Sequence, residues 1–146
     1  MKPLYIGIDP GHDTGLAIYD PDEQKLISVE TLRIHRALKE VADLYAMHRL
    51  PGRGIVVVFE DARKRNWLPR ESSLSEWKGR AMGAGSVKRD ATIWEDFLKD
   101  YGIAFINQAP RKGLTKWTED YFQRVTGYTG RTSNHGRDAA ALVFGM

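Results

Sequence analysis

Four ionisable residues sit at the ends of elements that a sheet can gather: Asp9, Glu60, His135 and Asp138. Asp9 closes an apolar, β-compatible run from Leu4 and is followed by Pro10-Gly11. Glu60 closes the β-branched run Gly54 to Phe59, the type of strand that is buried on both faces. His135 and Asp138 are three apart at the start of a predicted terminal helix, so they share one of its faces. Carboxylates and an imidazole brought together in this way repel unless cations neutralise them, and Mg²⁺ or Mn²⁺ prefers oxygen donors. Two such ions about 3.5–4 Å apart activate a water and stabilise the leaving oxygen in phosphodiester cleavage. Each residue alone also has a plainer role. Asp9 suits a turn, Glu60 a strand end, and Asp138 the first turn of a helix. Their conjunction points to one site.

The elements that must position them follow from periodicity. Leu4 to Asp9, Thr14 to Tyr19 and Lys25 to Leu32 read as three strands joined by the tight turns at Pro10-Gly11-His12-Asp13 and Asp20-Pro21-Asp22. Ile34, Leu38, Val41, Leu44, Tyr45 and Met47 then fall at helical spacing, and Pro51-Gly52 ends that helix near Leu50. After the strand that ends at Phe59, Leu74 to Tyr101 has helical character, with Gly79, Gly83 and Gly85 expected to break or bend it. Ile103 to Ile106 is a short strand, Leu114 to Val125 a helix, and Ser133-Asn134 caps a last helix from His135. The expected class is therefore α/β: a ribonuclease-H-like mixed five-stranded sheet, its first three strands antiparallel, flanked by helices. In such a sheet the strands ending at Asp9 and Glu60 lie side by side and parallel, so their carboxyl ends coincide where open α/β sheets build sites.

Composition narrows the classes. At 146 residues, 42% hydrophobic and 28% charged, the chain is expected to form one globular domain over residues 1–146. That balance excludes whole-chain disorder. The lack of Cys excludes a disulfide framework, a Cys-ligated zinc site and thiol catalysis. No run approaches the roughly 18–20 apolar residues of a membrane span, so no membrane partner is expected. Met1 to Asp9 meets a charged residue too early for a signal peptide. The formal charge of +3 is a weak pointer to an anionic partner.

Ile6-Gly7-Ile8-Asp9-Pro10-Gly11, followed by Thr14-Gly15-Leu16-Ala17, resembles the opening of RuvC-like Holliday junction resolvases. Val57-Val58-Phe59-Glu60 resembles their second acidic strand, and His135-Gly136-Arg137-Asp138-Ala139-Ala140-Ala141-Leu142 their terminal acidic helix. The first motif is shared with sugar-kinase and actin-like ATPases, whose nucleotide cleft needs two such domains. The resemblance implies catalysis and metal binding by Asp9, Glu60, His135 and Asp138, with Mg²⁺ as cofactor and Mn²⁺ able to substitute. It implies a homodimer that nicks two symmetric strands of a four-way DNA junction and leaves 5′-phosphates. It also implies a cytoplasmic protein of a bacterial or phage-infected cell, which the absence of Cys fits. His135 is either a metal ligand, direct or through water, or a residue that positions the nucleophile. From Asp61 to Arg70 the chain departs from the better-known bacterial members, as a phage-type or divergent version would. The alternatives are a YqgF-like nuclease of this fold acting on RNA, and a non-catalytic junction-binding protein.

Arg63, Lys64, Arg65 and Arg70 surround Trp67 directly after Glu60, a basic loop with one aromatic suited to phosphates and an unpaired base. The plainer reading is a solvated loop with Trp67 tucked against its own domain. Lys88, Arg89, Arg111, Lys112 and Lys116 are further DNA-contact candidates, and Lys112 or Lys116 suits the scissile strand in the resemblance. Asp61 should face away from Glu60 and is read as supporting or structural. Trp77 and Trp94 read as core or dimer contacts, and Leu74 to Leu98 as the candidate dimer helix. His12, in the first turn, is a possible substrate contact, whereas His35 and His48 read as surface residues.

Overall fold

The structure is a computed structural model that describes residues 1–49, 52–65, 74–111 and 116–146, without the side chains of 74–82 and 84. In chain order the described elements are β1 (Leu4–Asp9), β2 (Asp13–Asp20), β3 (Lys25–Arg33), α1 (Ile34–His48), β4 (Ile55–Glu60), α2 (Leu74–Tyr101), β5 (Ala104–Gln108), α3 (Glu119–Thr126) and α4 (Asn134–Val143). They form one mixed sheet in the order β3-β2-β1-β4-β5. β1 pairs antiparallel with β2, as β2 does with β3, whereas β1, β4 and β5 run parallel. This is the expected ribonuclease-H-like arrangement.

Strand alternation sorts the side chains onto two faces. Ile6, Ile8, Leu16, Val57 and Phe59 pack on one face against Ala37 and Val41 of α1 and Ala91, Trp94 and Leu98 of α2. Ala17, Val29 and Val58 face the other way and pack with Phe122 of α3 and Ala139, Ala140 and Val143 of α4. By the same alternation Asp9, two beyond Gly7, and Glu60, two beyond Val58, belong to the α4 face.

Three expectations change. α2 is one continuous helix from Leu74 to Tyr101, unbroken at Gly79, Gly83 and Gly85. Each glycine weakens a helix by only about 1 kcal/mol. Burial of Ala91, Trp94 and Leu98, none of them exposed, holds the helix on the sheet and outweighs propensity. α3 starts at Glu119 rather than Leu114, because the Thr118 hydroxyl accepts from the Tyr121 N–H and caps it there. β5 runs to Gln108, two residues beyond the expected end, since its pairing with β4 continues to Glu60. Trp94 is a core residue, as one of its two readings held.

At the sheet edge away from Asp9, the Arg53 guanidinium forks onto Asp20, with Nη1 to Oδ2 at 3.0 Å and Nη2 to Oδ1 at 2.5 Å. This pair holds the buried Asp20 carboxyl down from its ordinary 3.8 to about 2. A depressed carboxyl stabilises the fold above its unfolded pKa, and that contribution disappears as pH falls through the folded one. Asp20→Asn is therefore expected to be less stable than the parent at neutral pH, with the gap narrowing between about pH 4 and 2. Denaturant midpoints across that window check it, and a pH-independent gap would contradict it.

Candidate active site

The parallel register of β1 and β4 pairs Ile8 with Phe59, so Asp9 and Glu60 each follow directly on that pair at neighbouring strand ends. α4 crosses β1, β2 and β3 on the same face. Two strand glycines allow its close approach. A Cβ on Gly7 would lie 2.1 Å from the Ala139 carbonyl oxygen, and one on Gly15 would lie 1.9 Å from that of His135. The first turn of α4 is capped by Ser133, whose hydroxyl accepts from the Gly136 N–H at 3.2 Å and also bonds the Thr31 hydroxyl. His135 and Asp138 are thereby delivered beside the two strand carboxylates.

The contacts are specific. His135 Nδ1 lies 3.1 Å from Asp9 Oδ2, and Lys116 Nζ donates to Asp138 Oδ2 at 3.0 Å. Burial raises the pKa of Asp9, and the Asp138 charge adds to this against the opposing His135 hydrogen bond. Burial likewise raises Glu60, with the charges of Asp9 and Asp138 acting in the same direction and those of Arg65 and Lys116 against it. Lys116 is raised first by its hydrogen bond to Asp138 and further by Asp138, Asp9 and Glu60. Each of these residues therefore feels the others. The fold concentrates negative charge at one partly buried sheet edge and places Lys116 against it.

Such an arrangement stores repulsion. A carboxyl raised above its ordinary value makes the ionised form less favourable in the folded chain than in the unfolded one. Glu60→Gln is thus expected to melt about 3 °C above the parent in chelator at neutral pH. Calorimetry checks this, and a lower melting temperature would show that Glu60 contributes net stability.

Of the basic candidates, Lys116 reaches the acids by hydrogen bond, through Asp138. Arg65 is exposed and acts electrostatically on Glu60. Lys64 donates to the Asn107 carbonyl at 2.8 Å. Arg63 turns inward: its Nε and Nη2 each donate to Asp61 at 2.8 Å, and Nη2 also meets Glu95 Oε2 at 2.7 Å. Asn107 completes the group with a 3.1 Å bond to Asp61. The Arg63 bonds hold the Asp61 carboxyl down, and the network braces the end of β4 against α2. Lys88 and Arg89 are exposed on α2, which packs on the sheet face opposite Asp9 and Glu60. Arg111 is exposed just beyond β5. Trp67, Arg70 and Lys112 lie outside the described residues, as does the Trp77 side chain. His12 is exposed and bonds Arg33 Nη1 through Nδ1 at 2.7 Å.

Two features went unread in the sequence. Gly7 and Gly15 are seats for α4, and a glycine inside a strand pattern is the usual sign of such close approach. Arg137, between His135 and Asp138, is buried and hydrogen-bonded to three other residues. Nothing local in the sequence signals that.

The chain is similar to the Thermus thermophilus RuvC structure, with a TM-score of 0.53 at 17% sequence identity, over 97% of this chain and 91% of that one. The chain shares the fold of RuvC. No protein-family model and no curated protein sequence matches it. At this identity the likeness to RuvC carries the architecture, and the chemistry rests on this chain's own side chains. Their types fit a divalent cation: Asp9, Glu60 and Asp138 offer oxygen donors and His135 one nitrogen. Among the described residues no three such side chains stand close enough to enclose an ion as placed, and Asp138 is instead held by Lys116. No described helix is long and apolar enough to cross a membrane.

Proposed function

We propose that this chain is a nuclease domain, spanning residues 1–146, that uses divalent metal to cut branched DNA and resolves four-way junctions by paired nicks as a homodimer. The observation that carries the reading is the gathering of Asp9, Glu60 and Asp138 at one edge of a RuvC-like sheet, with His135 on Asp9 and Lys116 on Asp138. The resemblance of the three acidic motifs to RuvC-like resolvases supports junction DNA as the substrate.

Mg²⁺, or Mn²⁺ in its place, would be held by Asp9, Glu60, Asp138 and His135, supplying charge neutralisation and activation of water. With Nδ1 turned to Asp9, His135 has its Nε2 left to serve either as the cation's nitrogen donor or as the partner of the attacking water. With Asp138 engaged as a cation ligand, the Lys116 ammonium that now bonds it would pair with a phosphate oxygen of the scissile strand. Water attack at phosphorus with loss of the 3′ oxygen leaves a 5′-phosphate and a 3′-hydroxyl. Lys64, Arg65 and Arg111 lie on the β4–β5 side, where they suit neighbouring phosphates. Ile93 and Tyr101 expose apolar surface on α2, the candidate dimer helix.

A substrate panel tests the reading: a synthetic four-way junction, a flap, linear duplex and structured RNA, each with Mg²⁺. Two symmetric nicks in the junction, from a protein of dimeric mass in solution, are expected. Cleavage confined to RNA would replace this reading with the ribonuclease one. Tight junction binding without cleavage in either Mg²⁺ or Mn²⁺ would replace it with the non-catalytic one.

A further inference from the structure

Lys116 lies two residues before the Thr118 cap of α3, and one buried side chain ties its neighbour down. Arg137 is 9% exposed. Its Nε donates to the Trp117 carbonyl at 3.0 Å, its Nη1 to the Thr132 carbonyl at 2.9 Å and hydroxyl at 2.8 Å, and its Nη2 to Asn134 Oδ1 at 2.5 Å. Every one of these acceptors is neutral. A guanidinium is costly to bury, and an apolar side chain would hold α4 on the sheet without that cost. The reason for an arginine therefore lies in what its fork holds in place.

What it holds is the neighbour of Lys116. Trp117 follows Lys116 in the chain as Asp138 follows Arg137, so the segment and α4 are joined by two adjacent rungs. One rung is Lys116 to Asp138, exposed and made by a flexible side chain. The other joins the Arg137 side chain to the Trp117 backbone carbonyl and is partly buried. Trp117 is further packed against Tyr121 and Phe122 of α3, with ring centroids 5.7 and 6.0 Å away. The first rung can open while the second keeps the Lys116 backbone within one residue of its anchor.

We propose that Arg137 is a positioning residue that holds Lys116 at the acidic cluster, so that the ammonium remains within reach of the site after it leaves Asp138. The geometric half of this inference stands alone, and its catalytic half rests on the nuclease reading above. Both halves are measurable. The lysine ammonium groups are observed by ¹H–¹⁵N NMR of the full chain without metal, and the Lys116 signal is identified by its loss in Lys116→Met. In Arg137→Gln that signal is expected to move to the position of unpaired lysines, while the protein still unfolds cooperatively. Arg137→Lys keeps the charge and reaches fewer acceptors, and it is expected to recover part of the shift. In single-turnover junction cleavage, Arg137→Gln and Lys116→Met are each expected to lose about tenfold, and the double variant no more than either. Lys88→Met, on α2, is expected to combine additively with Arg137→Gln. An unmoved ammonium signal in Arg137→Gln overturns the inference whatever the substrate panel shows. Losses that multiply in the double variant reduce Arg137 to a structural anchor and overturn its catalytic half.

Discussion

Asp9→Asn is expected to bind a four-way junction as tightly as the parent and to cut it at least about a thousandfold more slowly. The substitution is nearly isosteric and removes a single negative charge. Asp9 lies at the centre of the cluster: it bonds His135, and its charge raises Glu60 and Lys116. Without that carboxylate, a bound cation would lose a charged donor, and His135 would keep only a neutral, weaker acceptor to orient its ring. The loss would not arise from unfolding. Burial and the Asp138 charge raise the Asp9 carboxyl, so its ionised form opposes folding at neutral pH, and the amide relieves that opposition. The expected signature is a protein at least as stable as the parent, with intact binding and no chemistry. Single-turnover cleavage with Mg²⁺, beside binding in Ca²⁺ and a thermal melt, measures all three. Cleavage within tenfold of the parent would remove Asp9 from the chemistry and take the proposed mechanism with it.

The acids were legible because strand parity and terminal position are one-dimensional properties. Asp9 and Glu60 each end a run whose alternation decides their face, and the helical spacing of His135 and Asp138 decides theirs. Strand order followed from connection lengths: two tight turns make a meander, and a helix between β3 and β4 permits β1 and β4 to run parallel. Arg63 read as a phosphate contact from its neighbours, because charge in sequence does not reveal direction. Its inward turn depends on Asp61 and on Glu95, more than 30 residues away on α2. The same holds for Arg137, one of whose acceptors is 20 residues upstream. The unbroken α2 teaches the complementary point. Helix-weakening glycines are a local cost, and the buried Trp94 and Leu98 that offset it declare themselves only once a sheet is present to receive them.

Gly15→Ala carries the other large effect, and it acts through shape alone. The added Cβ would stand 1.9 Å from the His135 carbonyl oxygen and 3.1 Å from the Gly136 nitrogen, both of them backbone. No rotamer relieves such a contact, so α4 must lift from β2 or the strand must bend. Overpacking of a close interface costs about 1–3 kcal/mol where side chains can adjust, and here the obstacle is main chain. A loss of about 3 kcal/mol or more is therefore expected in denaturant unfolding. Whatever protein remains folded would carry His135 and Asp138 displaced from Asp9 and Glu60. A misplacement near 1 Å in such a site can cost about a hundredfold in rate. Gly83→Ala is the control: a Cβ there meets nothing within 4 Å, and on an exposed helical position alanine is expected to add about 0.5–1 kcal/mol. The two glycines differ in what faces them. A helix glycine facing solvent is a weakness of propensity, whereas the strand glycine beneath α4 is the condition for the helix to reach the strand carboxylates. If Gly15→Ala left both the unfolding midpoint and the cleavage rate unchanged, α4 would not rest on β2 as described, and the acidic cluster built on that contact would fall with it.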